Sequence, residues 1–357
     1  MRKAFGLYLI LISLVFLLPV IFVNKRAVIS YTVEYDNKEE LQTVEYDYDK
    51  YSSIKLLHQD IGEVEDVKLD DYITCVVSAE MPASYDIEAL KAQAVVARTY
   101  TIYKITTSKK HDDADICDKS TCCQAWISKE DRFKKWDDEE RVDNWNKIIM
   151  AVNDTVGKVI THEGKPINAF FHANSGGKTQ IPFYVWGGDG YPYLQVVETS
   201  GEENYSQYKS EAKFTKEEFV EKMKKDHKEF EINFEEEKCI EITQRDESNR
   251  VLTVKIGNLN LSGVETRTIL GLKSANFTVE TSKDEIKFNV IGYGHGVGMS
   301  QTGADALAKQ GKNYEEIIKH FYVGVDITDK WEKQIVVWFF WVHFSIFCIN
   351  FHKKEIL

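Results

Sequence analysis

Apolar segments at both ends of the chain constrain its fold more than any other feature. Residues 5–23 carry no charge over 19 positions, and a helix of that length nearly covers the ~30 Å hydrocarbon core of a bilayer. A cleavable signal peptide is the alternative, but residues 20–24 contain no small-residue cleavage site. We therefore predict an uncleaved membrane anchor over residues 1–26. We place the rest of the chain on the outer face, because its polar middle shows no other membrane pattern.

The C-terminal segment, residues 335–351, is a second apolar run of 17 residues and is rich in aromatic side chains. It is short for a membrane span, and it lacks the polar face that a helix packed on a protein core shows. A second span, a buried core helix and an out-of-frame or misassembled end of the sequence all stay open. We assign no function to the tail, residues 328–357.

Between these ends the composition is that of a globular protein. Hydrophobic residues make up 43% and charged residues 29% of the 357 positions, which excludes a disordered or fibrous protein. The formal net charge of −12 lacks the basic footprint of nucleic-acid-binding proteins, so we expect no nucleic acid partner. We predict a polar juxtamembrane stalk over residues 27–64 and one folded region over residues 65–327.

The folded region mixes helical and strand patterns, which predicts an α+β fold. We expect mixed helices and short antiparallel strands that form a cleft-bearing extracytoplasmic region behind the N-terminal transmembrane helix. Residues 71–77 are predicted to form a strand, a helix is predicted to begin near Asp86, and a capping box at residues 215–218 opens an amphipathic helix. Further helices are predicted over residues 138–155, 304–309 and 314–321, and further strands over residues 159–171, 239–243 and 251–256.

Glu80 is the first candidate for chemistry, at the predicted junction between the strand and the helix. Its neighbours are small or apolar, so its carboxyl loses solvation and its pKa should rise, as a general acid near neutral pH requires. A surface glutamate that caps the helix after Pro82 is the alternative. Lys91 and Arg98 lie seven residues apart on one helix face. They either line a cleft with Glu80 or are ordinary solvated charges.

One histidine and three cysteines form the second candidate site, at His111, Cys117, Cys122 and Cys123. Thiolate sulfur and imidazole nitrogen are the usual zinc donors, and four of them close a tetrahedral site that leaves no position for water. Such a site is structural. The alternative is a disulfide between Cys117 and one of the other two cysteines, which is reasonable outside the cytoplasm.

Glycine-rich segments hold the remaining polar candidates. Residues 292–301 contain His295 and Gln301 among four glycines, and glycines let a backbone approach a ligand closely. His295 and Gln301 are therefore candidate binding groups, and a tight turn with His295 bonded to the backbone is the alternative. A Ser/His hydrolase built on Ser175 or Ser300 lacks an identifiable third member.

At these positions the sequence resembles the stage II sporulation protein D family. The resemblance covers residues 65–327, and an N-terminal anchor is also similar to the sporulation members. The motifs that carry it, in the family's order, are Glu80-Met81-Pro82, EALKAQAVVARTY at 88–100, Cys123-Gln124, Ser175-Gly176-Gly177, LGLKSANF at 270–277 and GHGVGMSQ at 294–301.

The resemblance implies a lytic transglycosylase that acts on peptidoglycan during forespore engulfment in an endospore-forming bacterium. Such enzymes cut the MurNAc–GlcNAc bond of glycan strands stripped of stem peptides and leave a 1,6-anhydro end. The family's catalytic glutamate corresponds to Glu80, which would act as general acid and base. The residues that would position the sugar and stabilise charge are Lys91, Arg98, Ser175, His295 and Gln301.

The resemblance also implies partners, a location and a metal. The expected protein partners are a sporulation amidase, protein P, and a membrane protein, M. The expected location is the cell membrane, with the catalytic region on the mother-cell side facing the forespore septum. A zinc ion near the active site would be held by His111, Cys117, Cys122 and Cys123, with Cys122 standing where a histidine is expected. Two other functions stay open: a non-catalytic amidase enhancer that binds cell wall, and a zinc hydrolase.

Overall fold

The computed structural model describes residues 52–107 and 110–329. The predicted anchor, residues 1–26, lies outside the described residues, as do most of the predicted stalk and almost all of the tail. Within the described ranges, no helix combines the length and the apolar character that crossing a membrane requires.

The described chain is a mixed α/β fold of short elements. The helices are α1 (Leu69–Glu80), α2 (Ile87–Thr107), α3 (Lys129–Phe133), α4 (Arg141–Asn153), α5 (Phe183–Trp186), α6 (Lys216–Asp226), α7 (Gly263–Leu270), α8 (Gln301–Lys309) and α9 (Tyr314–Phe321). The strands are β1 (Ser53–His58), β2 (Glu63–Lys68), β3 (Ile116–Cys117), β4 (Val159–His162), β5 (Lys165–Pro166), β6 (Phe171–His172), β7 (Lys209–Thr215), β8 (Ile240–Arg245), β9 (Val251–Ile256), β10 (Leu259–Ser262), β11 (Phe277–Thr281), β12 (Glu285–Ile291), β13 (Met299–Ser300) and β14 (Asp326–Thr328).

Helix α1 occupies the run for which the sequence analysis predicts a strand over residues 71–77, so that prediction is wrong. The β-branched residues of this run favour a strand locally, but its apolar residues also recur at helical spacing. The buried apolar stripe consists of Leu69, Tyr72, Ile73, Val76 and Val77. Burial of this stripe against α2 outweighs the local preference.

Helix α2 is the centre of the larger hydrophobic core. It begins one residue after the predicted start, and it packs against α1, α4, α8 and α9. Its buried residues lie on every side of the helix, which is the pattern of a helix enclosed by protein. This core fixes the relative positions of α1 and α8, the two helices that carry the candidate acid and its neighbour.

A smaller core lies between residues 209 and 291. Two three-stranded sheets, in the orders β11-β12-β7 and β10-β9-β8, pack with α6 and α7 around Phe219, Phe277 and Phe288. The predicted capping box is confirmed, since Thr215 Oγ1 accepts from the Glu218 N–H at 3.1 Å and Glu218 accepts from the Thr215 N–H at 2.9 Å.

Two strand pairs are parallel, which departs from the predicted antiparallel pairing. β1 pairs antiparallel with β2 but parallel with β3, and β6 pairs parallel with β13. Both parallel pairs join short segments that are distant in sequence, so no hairpin turn imposes the antiparallel direction. Because Ile54 and Leu56 of β1 are buried in the larger core, the folded region begins inside the predicted stalk of residues 27–64.

Candidate active site

A groove of about 1150 Å³ opens between the end of α1, the loop after β3 and the glycine-rich segment at residues 294–301. Its lining is aromatic and basic. The aromatic residues are Tyr85, Tyr100, Trp136, Phe170, Phe171, Trp186 and Tyr293. The basic residues, apart from histidines, are Lys104, Lys110, Arg132, Lys135 and Arg267.

Glu80 is the last residue of α1 and lines this groove. The helix ends here because Met81 precedes Pro82, and a residue before proline is driven into the extended conformation that Met81 adopts (φ −125°, ψ 143°). The predicted strand-to-helix junction is thus a junction between two helices. Within the described part of the chain, Glu80 is the only carboxylate that lines the groove.

Burial and two hydrogen-bond donors act on Glu80 in opposite directions. Desolvation has the larger effect and raises its pKa above the ordinary value of 4.5. The Ala125 N–H donates to Oε1 at 2.7 Å and Gln301 Nε2 donates to Oε2 at 3.3 Å, and both contacts favour the ionised form. The raised pKa is the direction that the small and apolar neighbours predict, and it suits a general acid.

Two histidines form one wall of the groove. His295 lies 5.0 Å from the Trp186 ring and 5.6 Å from the His172 ring, measured between centroids. His172 is buried and its Nδ1 donates to the Val297 carbonyl at 3.1 Å, which leaves Nε2 unprotonated and without a partner among the described residues. Burial lowers the pKa of His172 to about 3 and that of His295 well below its ordinary value. Both rings are therefore neutral.

His172 belongs to the polar, glycine-containing run at residues 170–177, but the sequence alone gives it no role of its own. It stands beside the Ser175-Gly176-Gly177 turn, and its position in β6 is what aims it at the groove, because β6 pairs with β13. That pairing joins segments more than a hundred residues apart, which no local pattern in the sequence indicates.

Lys91 and Arg98 do not line the groove, so the structure does not support the hypothesis that they share a cleft with Glu80. Arg98 is fully buried and donates to Asp70 Oδ1 from NH2 at 2.9 Å and from Nε at 3.2 Å. Lys91 Nζ lies 2.9 Å from a carboxylate oxygen of Glu88 and 2.9 Å from one of Asp154. Each of the two cations is therefore paired with a carboxylate, Arg98 in the core and Lys91 near the surface.

Ser175 also lies outside the groove lining, in a buried network around Glu202. Six N–H and O–H groups are within hydrogen-bonding distance of the Glu202 carboxylate: Ser175 N (3.0 Å), Ser175 Oγ (2.5 Å), Gly177 N (3.1 Å), Thr199 Oγ1 (2.6 Å), Thr302 Oγ1 (3.0 Å) and Ser300 Oγ. Burial raises the pKa of Glu202, but these donors outweigh burial and lower it overall. Glu202 is therefore an ionised carboxylate, and its hydrogen bonds hold the Ser175-Gly176-Gly177 turn next to residues 300–302.

Four predicted metal donors meet beside the groove. One ligand atom from each of His111, Cys117, Cys122 and Cys123 lies within 4.8 Å of all the others. The His111 Nε2 to Cys123 Sγ distance is 3.5 Å, Nε2 to Cys122 Sγ is 3.7 Å, and the two adjacent sulfurs are 4.0 Å apart. These separations match the edges of a tetrahedron, about 3.8 Å, around an ion with ligands at ~2.3 Å.

The disulfide alternative does not fit this geometry. Cys117, Cys122 and Cys123 are all free cysteines, with no disulfide between Cys117 and either of the other two. The donor set therefore fits a metal ion, and Gln59 Nε2 donates to Cys117 Sγ at 3.3 Å as an outer contact.

The metal cluster adjoins the candidate acid through the chain itself. Cys122 and Cys123 line the groove, and Ala125, two residues further on, donates its N–H to Glu80. Between them, Gln124 is buried and donates to Tyr72 at 3.0 Å and Thr101 at 2.9 Å. A metal held by the cysteines would therefore order the loop that supplies one of the two donors to Glu80.

Comparison with known proteins extends these observations. Residues 57–162 match a family model described as stage II sporulation protein, and residues 193–298 match a domain of unknown function. The chain is similar to the stage II sporulation protein D of Bacillus amyloliquefaciens, with 34% identity over 269 residues that cover 74% of this chain and 76% of that protein. The protein of the same name in Bacillus subtilis (strain 168) is 34% identical over 270 residues, with the same coverage. An amidase enhancer of Bacillus subtilis is 29% identical over 301 residues, 71% of this chain but 40% of that protein.

Proposed function

The chain belongs to the stage II sporulation protein D family, and from that premise we propose that it is a lytic transglycosylase that cleaves the MurNAc–GlcNAc bond of peptidoglycan. The product would carry a 1,6-anhydro-MurNAc end. The observation that carries this proposal is the single carboxylate of the groove, Glu80, with its raised pKa.

A single carboxyl suffices for this reaction. Protonated Glu80 donates its proton to the glycosidic oxygen while the bond from that oxygen to C1 of MurNAc breaks. The resulting carboxylate then takes the proton of the C6 hydroxyl of the same sugar, and that oxygen forms a new bond to C1. Glu80 ends the cycle protonated, and no water is consumed.

Hydrolytic glycosidases differ because they use a second carboxylate, either as nucleophile or to activate water. Among the described residues the groove offers no second carboxylate. Intramolecular attack by the C6 hydroxyl needs none, because the sugar itself supplies the nucleophile. The lining therefore favours the transglycosylase over a hydrolase.

The groove walls have the chemistry of a sugar-binding site. The exposed Trp186 ring offers an apolar face to a pyranose ring. Gln301 holds one oxygen of Glu80. Together these contacts would orient the sugar toward the acid.

We propose zinc as the metal of the cysteine cluster, with a structural role. Four protein donors leave no coordination position for substrate. The cluster would act on the reaction only by holding the loop that places the Ala125 N–H on Glu80. Removing the metal with a chelator should then lower the melting temperature and the activity together. Loss of activity at an unchanged melting temperature would instead support a zinc hydrolase.

We further propose that residues 1–26 anchor the protein in the cell membrane, with the catalytic region on the mother-cell side during forespore engulfment. Protein P, an amidase, and the membrane protein M are the proposed partners. The relatives named for stage II sporulation support this setting. Deleting residues 1–26 should release the protein from the membrane fraction of sporulating cells.

The decisive experiment is to digest peptide-free glycan strands with the purified protein in ¹⁸O-labelled water. A transglycosylase gives 1,6-anhydro-MurNAc ends without the label, whereas a hydrolase gives labelled reducing ends. Binding without cleavage would favour the non-catalytic alternative, an amidase enhancer. The similarity to the amidase enhancer of Bacillus subtilis is the reason to test this alternative.

A further inference from the structure

The exposed large apolar side chains of the described chain are unevenly placed. Seven such side chains are exposed, and the four aromatic ones lie on α5 and beside the glycine-rich segment at residues 294–301: Phe183, Tyr184, Trp186 and Tyr293. The other three are aliphatic, and none of them lines the groove. Exposed aromatic rings gathered at the edge of a groove indicate a binding surface.

Helix α5 places two of these rings on one face. The helix is a single turn that closes with a hydrogen bond from the Gly187 N–H to the Phe183 carbonyl at 2.9 Å. Residues three positions apart are neighbours on a helix surface, so Phe183 lies beside Trp186, about 4.5 Å away along the axis. Tyr184 is turned by about 100° from Phe183 and lines a second, small cavity instead.

Trp186 connects this face to the groove. Its ring lies 4.6 Å from the Phe170 ring and 5.0 Å from that of His295, measured between centroids, yet 51% of Trp186 is exposed. Phe183 is 56% exposed and lies outside the groove lining. The glycines that follow α5 add no cover, because Gly187 and Gly188 are exposed and have no side chain. Trp186 and Phe183 thus form an outer aromatic face that starts at the groove and leads out of it.

We propose that Phe183 is an outer sugar-binding position, where a glycan strand that leaves the groove over Trp186 stacks one more pyranose ring. The inference rests on the proposed function, which makes the substrate a polymer, and it names a contact for a sugar outside the groove. A strand longer than the groove must cross its edge. The C–H groups on the face of a pyranose pack on an aromatic ring, while the hydroxyls at the edge of the sugar stay hydrated. Affinity should therefore increase with strand length until a sugar reaches Phe183.

The first test measures binding as a function of strand length. Peptide-free glycan strands are separated by length and titrated against the full-length Glu80→Gln protein and against the same protein with Phe183→Ala added. Both proteins should bind short strands equally. Long strands should bind the double variant about fivefold more weakly, because one partly exposed ring no longer covers apolar surface of the sugar. An equal loss at every length, or no loss at any length, would overturn the proposal.

Two further substitutions in the Glu80→Gln protein control for the chemistry and the place of this contact. Phe183→Tyr keeps a flat ring and should retain the affinity for long strands. Ile61→Ala removes a side chain that is 67% exposed in the turn between β1 and β2, and it should not change binding. If Phe183→Tyr weakens binding as much as Phe183→Ala, the ring does not stack on a sugar. If Ile61→Ala has the same effect as Phe183→Ala, the contact is not specific to Phe183.

Cleavage kinetics separate this proposal from the proposed function. In the otherwise wild-type protein, Phe183→Ala should raise KM for long strands about fivefold and leave kcat unchanged, because Phe183 lies outside the groove that holds the acid. If the wild-type protein cuts no strand, the transglycosylase proposal fails, and the binding series still decides whether Phe183 holds a sugar. If the wild type cuts strands but Phe183→Ala does not alter how binding depends on length, only the outer position is overturned.

Discussion

Glu80 and Glu202 are both enclosed carboxylates, yet their pKa values move in opposite directions. Glu80 accepts from two groups, and desolvation raises its pKa. Glu202 has six donors within hydrogen-bonding distance, and their combined effect lowers its pKa in spite of burial. The comparison teaches that the number of donors, rather than burial, decides which carboxyl can give up a proton to a substrate.

The two carboxylates are connected through the start of α8. Ser300 donates to Glu202, and Gln301, the next residue, donates to Glu80. Ser300 also caps α8 by accepting from the Gly303 N–H at 3.3 Å. Ionised Glu202 thus fixes the helix end that carries a donor to Glu80, so under the proposed function Glu202 would be a positioning residue and Glu80 the catalytic one.

Replacing the acid should produce the largest effect. Glu80→Gln keeps the shape of the side chain but removes the transferable proton, so we expect the rate of strand cleavage to fall by about 10²–10⁴-fold. The melting temperature should not fall, because Glu80 has few donors to leave unpaired. Product analysis and thermal unfolding of the same samples test this, with exposed Glu63→Gln as the matched control. A melting temperature that drops with the activity would assign Glu80 a structural role.

Replacing Glu202 should mainly lower the stability of the folded protein. Glu202→Gln substitutes an amide N–H₂ for an oxygen that accepts several hydrogen bonds, and each buried donor left unpaired costs about 1–3 kcal/mol. We expect the free energy of unfolding in urea to fall by about 3 kcal/mol or more.

The neighbouring Glu203 supplies the control for this change. Glu203 is exposed and accepts from the Gly201 N–H at 3.1 Å, so Glu203→Gln should stay within about 0.5 kcal/mol of the wild type. If Glu202→Gln also lowers the free energy of unfolding by no more than about 0.5 kcal/mol, the six contacts do not stabilise the ionised Glu202 carboxylate as proposed.

The sequence singles out Glu80 and the four residues of the His/Cys cluster, but it does not single out Glu202. The small neighbours of Glu80 and the crowding of His111 with three cysteines are local patterns that indicate their chemistry directly. Glu202 stands in the run Gly201-Glu202-Glu203-Asn204, which has the composition of a solvated turn. Its donors come from Ser175, Thr199 and Ser300, which are brought together only by the tertiary fold.

Contacts between residues that are distant in sequence also explain the errors in the predicted fold and in the other predicted site residues. Arg98 shares a helix face with Lys91, but the sequence does not show that Asp70 lies against Arg98. The α1 stripe fits both a strand and a helix over a few residues, and contact with α2 decides between them. The parallel pairing of β6 with β13, which places His172 in the groove wall, is likewise a long-range contact.

The pH dependence of stability should differ in sign between the two sites. Both carboxyls ordinarily titrate at 4.5. Because the pKa of Glu80 is raised on folding, the wild type should lose stability relative to Glu80→Gln as the pH rises from 4.5 through the folded pKa. Because the pKa of Glu202 is lowered, the advantage of the wild type over Glu202→Gln should be full above 4.5 and shrink as the pH falls through the folded pKa.

Urea unfolding of the three proteins across acid and neutral pH measures both trends. Glu63→Gln and Glu203→Gln, which change exposed side chains, are the controls and should run parallel to the wild type at every pH. If the stability difference from the wild type changes in the same direction with pH for Glu80→Gln and Glu202→Gln, the number of donors does not explain how the two pKa values differ.

The smallest effect should come from Gln301, which joins the two sites. Its Nε2 donates to Glu80 at 3.3 Å and lowers the pKa of that carboxyl, so Gln301→Met should raise this pKa further. Because the proposed reaction needs protonated Glu80, the alkaline limb of the kcat/KM profile should move to higher pH. The rate at the optimum should fall only about threefold, because one long hydrogen bond is lost. Gln310→Met, at the exposed other end of α8, should leave the profile unchanged. An alkaline limb that moves to lower pH in Gln301→Met would mean that Gln301 does not stabilise the ionised form of Glu80.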